Sequence, residues 1–175
     1  VARWPSRHRA HEDAIRILEE ATLEASGLAL RYGFFYGPGT WFARGSSLAR
    51  MVQQRMTPIA GSGEGLTSYI HIDDAVDATV RAIDRGGSGI YNICDDEPGS
   101  QNVWLPELAR LLGGKPPHRV PAWLVGLIGG PAAKFYGVSL RGASNAKAKA
   151  ELGIMPRSWR DGFANEFGQA TAEAA

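Results

Sequence analysis

The sequence predicts an α/β fold, and three observations carry that prediction. Segments with helical apolar spacing alternate with short apolar runs of strand character. The two clearest such runs, Leu28–Tyr32 and residues 90–94, each follow a helical segment closed by glycine. Glycine and proline together make 32 of 175 residues, an excess that predicts many turns and short elements. The chain holds 44% hydrophobic and 21% charged residues, a globular balance that excludes disorder and coiled coil. The net charge of +1 provides no electrostatic footprint for nucleic acid or a membrane surface. The single cysteine, Cys94, excludes an internal disulfide and a cysteine-rich zinc site.

Residues 10–26 read as a helix, with Ala14, Ile17, Leu18, Ala21 and Ala25 on an apolar stripe and Glu12 and Asp13 in the first turn. Gly27 stops it, and Leu28–Tyr32 follows as a buried strand. Residues 33–39 read as a loop, residues 46–55 as a helix, and residues 57–60 and 68–72 as short strands. Asp73 or Asp74 is expected to cap a helix over residues 75–85, whose stripe is Ala75, Ala78, Thr79, Ala82 and Ile83. Residues 90–94 form the second buried strand and residues 103–112 a helix. A short strand over 118–120 and a Gly/Pro-interrupted helical stretch over 123–136 come next. Ser144 or Asn145 caps a helix through Leu152. A last helix starts at Trp159 and frays into a tail over 166–175. No internal repeat is visible.

The chemistry-bearing patterns are sparse. Gly61-x-Gly63-x-Gly65 lacks the G-x-G-x-x-G spacing and leads into a strand, so it reads as a turn. Gly114-Lys115 is followed by Pro116 and makes no phosphate loop. His8 and His11 share a helix face without completing a metal set, so no metal site is expected. His71-Ile-Asp73-Asp74 puts a histidine and two carboxylates at a strand end. They either do acid–base work or cap the following helix. None of the five tyrosines has a lysine four residues later, the spacing at which a lysine makes a tyrosine a usable general base.

The order of segments resembles the extended and atypical short-chain dehydrogenases/reductases, the NAD-dependent epimerase/dehydratase group. Leu30-Arg-Tyr-Gly-Phe-Phe-Tyr-Gly-Pro-Gly39 is similar to that family's L-R-P-x-N-V-Y-G-P-G segment. Tyr69-Ile-His-Ile-Asp-Asp74 resembles its H-V-D-D segment, and Gly89-Ile-Tyr-Asn-Ile-Cys94 its returning sheet strand. The stretch from Arg141 through Lys149, Gly153 and Pro156 to Phe163 is similar to the closing helix and tail.

The resemblance covers the C-terminal half of the family fold and implies one partial domain. Residues 10–40 and 66–94 would belong to a Rossmann-like NAD(P)-binding core. Residues 41–65 and 95–165 would form the small substrate-binding region. It implies NAD or NADP as cofactor, touched at the nicotinamide end by Tyr32, Gly33 and Phe34. It implies a small-molecule substrate of nucleotide-sugar or similar hydroxyl/carbonyl type, touched by Arg141, Tyr36 and His71. Tyr32 and Phe34 replace the family's proline and asparagine. The family's glycine-rich loop and its Tyr-x-x-x-Lys pair are absent from the 175 residues, so no catalytic residue is assigned.

The chain starts at Val1 rather than methionine, which reads as a fragment inactive by itself. A nucleotide- or metabolite-sensing module on the same scaffold, or a truncated product without independent function, are the alternatives. Residues 1–15 lack the apolar core of a signal peptide. The longest uncharged apolar stretch is 12 residues, against the ~20 needed to span a bilayer. A cytoplasmic protein, without membrane or nucleic-acid partners and able to form oligomers, is the expectation.

Overall fold

The computed structural model describes residues 9–168. The last helix continues to Phe167, inside the segment 166–175 expected to fray; residues 169–175 lie outside the described residues. So do residues 1–8, and with them His8 of the expected histidine pair.

Helix α1 (Arg9–Glu24) leads through Gly27 into β1 (Leu28–Tyr32), and β2 (Phe34–Tyr36) follows after one residue. Then come α2 (Ser47–Gln53), β3 (Ile59–Ala60), β4 (Leu66–Thr67), β5 (Tyr69–His71) and α3 (Ile72–Arg85). The second half holds β6 (Gly89–Ile93), β7 (Gly99–Ser100), α4 (Gln101–Leu111), β8 (Arg119–Val120) and α5 (Ala122–Ile128). Helices α6 (Gly130–Val138), α7 (Ala146–Leu152) and α8 (Trp159–Phe167) close the described chain. Strands pair β1 with β6, β2 with β5 and β3 with β8 in parallel, and β4 with β7 antiparallel. The α/β class is as predicted. No described helix is long and apolar enough to cross a membrane.

Strand β5 separates two cores, because successive side chains of a strand point to opposite faces. Ile70 joins Tyr91, Ile93, Ala148, Leu152 and the alanines of α3. Tyr69 joins an aromatic core of Tyr36, Phe42, Trp104, Trp159 and Phe163. In the aromatic core, rings meet mostly edge to face, as between Tyr69 and Phe163 at 5.2 Å and Tyr36 and Phe163 at 5.2 Å. Helix α8 fits because residue 162 is glycine: a Cβ there would collide with the Tyr36 ring and hydroxyl.

Several expectations are corrected. The segment 33–39 is not all loop, because β5 offers a parallel edge that residues 34–36 pair with. The cap of α3 is neither Asp73 nor Asp74. The helix begins at Ile72, and His71 Nδ1 accepts from the Asp73 N–H at 3.2 Å. Asp74 instead accepts from the Arg157 guanidinium and backbone N–H at 2.8–3.1 Å. Ile83 is 79% exposed, since only the alanines of α3 face the sheet. The stripe of α1 likewise faces outward at Ile17 and Leu18. Helix α1 is held to β1 by a bidentate pair from Arg31 to Glu19 at 2.5–2.6 Å. On α7, Lys149 bonds Asp96 at 2.7 Å and Lys147 sits over the Tyr91 ring.

Asp95, just past β6, ties both cores to α8. Its N–H donates to Tyr69 O, and its Oδ2 accepts from the first N–H of α8, that of Trp159, at 2.9 Å. A carboxylate suits a helix N-terminus. Burial nevertheless dominates, with Asp96 and Glu97 adding repulsion, and pushes its pKa up to about 6.

A folded-state pKa above the unfolded value stabilises the protein at low pH, and that contribution is lost as pH rises through about 6. Urea unfolding at about pH 4.5 and about pH 7.5 should therefore show the wild type gaining about 2 kcal/mol toward the acid side relative to Asp95→Asn. Parallel pH profiles for the two proteins would contradict this placement of Asp95.

Candidate functional site

Tyr32 ends β1 and Phe34 begins β2, and between them the chain changes partner. Gly33 N–H donates to Ile93 O of β6 at 2.9 Å, whereas Phe34 N–H donates to Ser68 O beside β5 at 2.8 Å. Crossing from one strand to the other brings Gly33 onto the backbone of Ser68 and Tyr69. A Cβ at Gly33 would lie 2.8 Å from Ser68 O. Only glycine fits that approach without displacement.

A cavity of about 520 Å³ opens at this crossing. It is lined by residues 32–35, Gly39, Thr40, Trp41, Phe42 and Ile72. Its position beyond the carboxyl end of parallel β1, where strand pairing switches, is the place where open α/β sheets receive ligands. The loop carrying Trp41 and Phe42 is folded back by Gly37 N–H donating to Phe42 O and by Thr40 Oγ1 donating to Gly37 O. Gly37 takes a left-handed φ of 106° and packs on His71, whose ring fills the space a Cβ would need.

The lining is aromatic and uncharged. The Tyr32 hydroxyl is shared with Thr79 Oγ1 at 2.5 Å, and Trp41 Nε1 donates to Ser47 Oγ at 3.3 Å. Phe34 meets Phe42 and Tyr136 edge to face. Such a cavity suits a planar, weakly polar ring better than a phosphate. A charged phosphate would find no cation among the residues that line it. The pyrophosphate needs a glycine-rich helix start, and the 175 residues carry none of that spacing.

The sequence-predicted residues divide accordingly. Tyr32, Gly33 and Phe34 all line the cavity. Tyr36 and His71 do not; both are buried behind it, with ring centroids 5.1 Å apart. Burial pushes the Tyr36 hydroxyl well above the ordinary tyrosine range. His71 Nδ1 caps α3, and its Nε2 lies 3.4 Å from Glu166 Oε1. Arg141 is exposed, bridges to the Leu66 backbone and lies outside the cavity, with no side-chain ion pair among the described residues. Sequence reasoning missed Trp41, Phe42, Phe35 and Ile72. The signal available for them was the density of aromatics over residues 32–42.

A family model described as NAD dependent epimerase/dehydratase family matches residues 7–94. A "3-diazoavenalumate denitrifying reductase" from Streptomyces sp is 39% identical over 165 residues, covering 93% of this chain and 54% of that protein. This chain thus spans about half the length of that relative. Among solved structures, human epimerase family protein SDR39U1 (isoform 2) with NADPH superposes with a TM-score of 0.65 at 16% identity. That match covers 82% of this chain and 49% of the other. DesIV, a dTDP-glucose 4,6-dehydratase from Streptomyces venezuelae with NAD and TYD bound, gives 0.62 at 19%, covering 86% and 46%. At these identities the two structures share the fold.

The crossing makes one demand that can be measured. Gly33→Ala should destabilise the chain by about 2 kcal/mol or more in urea unfolding, because the blocking atoms are backbone. Wild-type stability in that variant would show that the strand does not press against Ser68.

Proposed function

This chain belongs to the NAD dependent epimerase/dehydratase family, and on that premise we propose that it supplies the C-terminal part of an epimerase/dehydratase-like reductase. The reaction assigned is hydride transfer at a hydroxyl or carbonyl carbon of a small molecule. The bound dinucleotide, NAD or NADP, supplies or accepts the hydride. The observation that carries this reading is the convergence of Tyr32, Gly33 and Phe34 on one cavity at the strand crossing. Residues 10–40 and 66–94 act as the cofactor-side core, and residues 41–65 and 95–165 as the substrate side. The cavity wall draws on both.

In this reading the aromatic wall excludes water from the nicotinamide ring and fixes its plane. Tyr36 and His71 act as positioning residues, holding the Gly37 turn that carries Trp41 and Phe42. Arg141 is assigned to an anionic group of the substrate outside the cavity, since an unpaired guanidinium can grip a phosphate or carboxylate in bidentate fashion.

A second reading has its own support. No histidine, carboxylate or lysine lines the cavity, and no Tyr-x-x-x-Lys occurs in the 175 residues. A module that binds a nucleotide or metabolite without turning it over needs neither. In both readings this chain by itself is inactive, because it lacks the proton-transfer pair.

Fluorescence titration with NADH and NADPH checks the division of labour. Without a glycine-rich loop for the pyrophosphate, the 175-residue chain should bind neither with micromolar affinity. A micromolar Kd for either would contradict the proposal that the main dinucleotide contacts come from outside these residues.

A further inference from the structure

Five of the nine residues around the cavity are aromatic, and none is charged. Two of the five are exposed at its mouth: Trp41 is 59% and Phe35 is 38% accessible. Each polar side-chain group of the wall already has a partner. The Tyr32 hydroxyl pairs with Thr79, Thr40 Oγ1 donates to Gly37 O, and Trp41 Nε1 donates to Ser47 Oγ. The backbone N–H groups of Gly33 and Phe34 are held in the strand crossing.

These facts bear on what could lie beside a nicotinamide ring here. A pyranose carries several hydroxyls, and each one that leaves water without a new partner costs free energy. The wall offers few groups to receive them. A planar aryl ring loses mainly apolar surface on entry and gains ring–ring contacts. An exposed tryptophan and phenylalanine at the mouth also leave water when such a ring covers them. About 520 Å³ lies within the range of small-molecule sites.

We propose that the hydroxyl or carbonyl carbon of the substrate is carried on a planar aromatic ring seated against Trp41 and Phe35, rather than on a sugar ring. The inference rests on the reading of this cavity as the nicotinamide and substrate site. It names the substrate class that the aromatic wall selects. Trp41 and Phe35 act as specificity-determining residues, and neither is assigned a proton or hydride to move.

Saturation-transfer difference NMR on the 175-residue chain tests this with three probes: 4-hydroxybenzyl alcohol, UDP-glucose and nicotinamide mononucleotide. The expected result is saturation of the aryl protons of the alcohol. That signal falls at least fivefold in Trp41→Ala and in Phe35→Ala, and persists in Trp123→Ala, a change at an exposed tryptophan outside the cavity. Circular dichroism establishes that each variant is folded. The proposal is overturned if the alcohol signal is unchanged in both cavity variants, or if UDP-glucose sugar protons saturate in a Trp41-dependent way while the alcohol does not. If the alcohol binds as expected and nicotinamide mononucleotide gives no signal, the cofactor reading fails while the preference of the cavity for an aryl ring stands.

Discussion

One backbone contact organises this molecule: Gly33 lying against the carbonyl of Ser68. A continuous extended run from Leu28 to Tyr36 cannot serve two parallel partners unless it crosses between them, and Gly33 is where it crosses. Before it, β1 pairs with β6 and faces the aliphatic core of α3 and α7. After it, β2 pairs with β5 and joins the aromatic core. The cavity is the space left where the two pairings diverge. Its position therefore follows from the strand topology, and its aromatic character from the residues on either side of the crossing.

The buried polar groups secure this arrangement from behind. His71 ends β5, caps α3 and supports the Gly37 turn, so one ring joins strand, helix and cavity loop. Asp95 links β5, through the Tyr69 carbonyl, to the start of α8. Helix α8 then returns Phe163 against Tyr36, with Gly162 leaving room for the tyrosine ring. Asn145, expected as a helix cap, spans back to the Cys94 carbonyl and the Asp96 carboxylate at 2.8 Å each and so holds α7 to the end of β6. These contacts connect segments far apart in sequence.

That distance explains what the sequence made legible. Local patterns located β1, β6 and the helices, since apolar spacing and glycine stops are local signals. The L-R-Y-G-F-F-Y-G-P-G segment pointed to Tyr32, Gly33 and Phe34, and all three reach the cavity. Strand β2 was hidden because Gly33 and Gly37-Pro38-Gly39 look like turn chemistry, while its pairing partner lies more than thirty residues away. His71, Tyr36 and Asp95 owe their roles to packing across the two cores, which no spacing rule encodes. The outward face of α1 was misread for a related reason: helical apolar spacing predicts a face and does not say what covers it.

Functionally, the chain joins membership of the NAD dependent epimerase/dehydratase family to an aromatic, uncharged cavity wall. The segment similar to the family's L-R-P-x-N-V-Y-G-P-G carries aromatic residues, Tyr32 and Phe34, where that pattern has proline and asparagine. The pyrophosphate loop and proton-transfer pair are absent from the 175 residues. Under the proposed function, ring recognition lies in this chain and the remaining dinucleotide contacts lie outside these residues. The most direct measurement is an amide chemical-shift map with nicotinamide mononucleotide at saturating concentration. The largest shifts are expected at residues 32–35 and 39–42, with Ile72 following. Shifts centred on Arg141 or on the outer face of α3, with residues 32–42 unmoved, would contradict it.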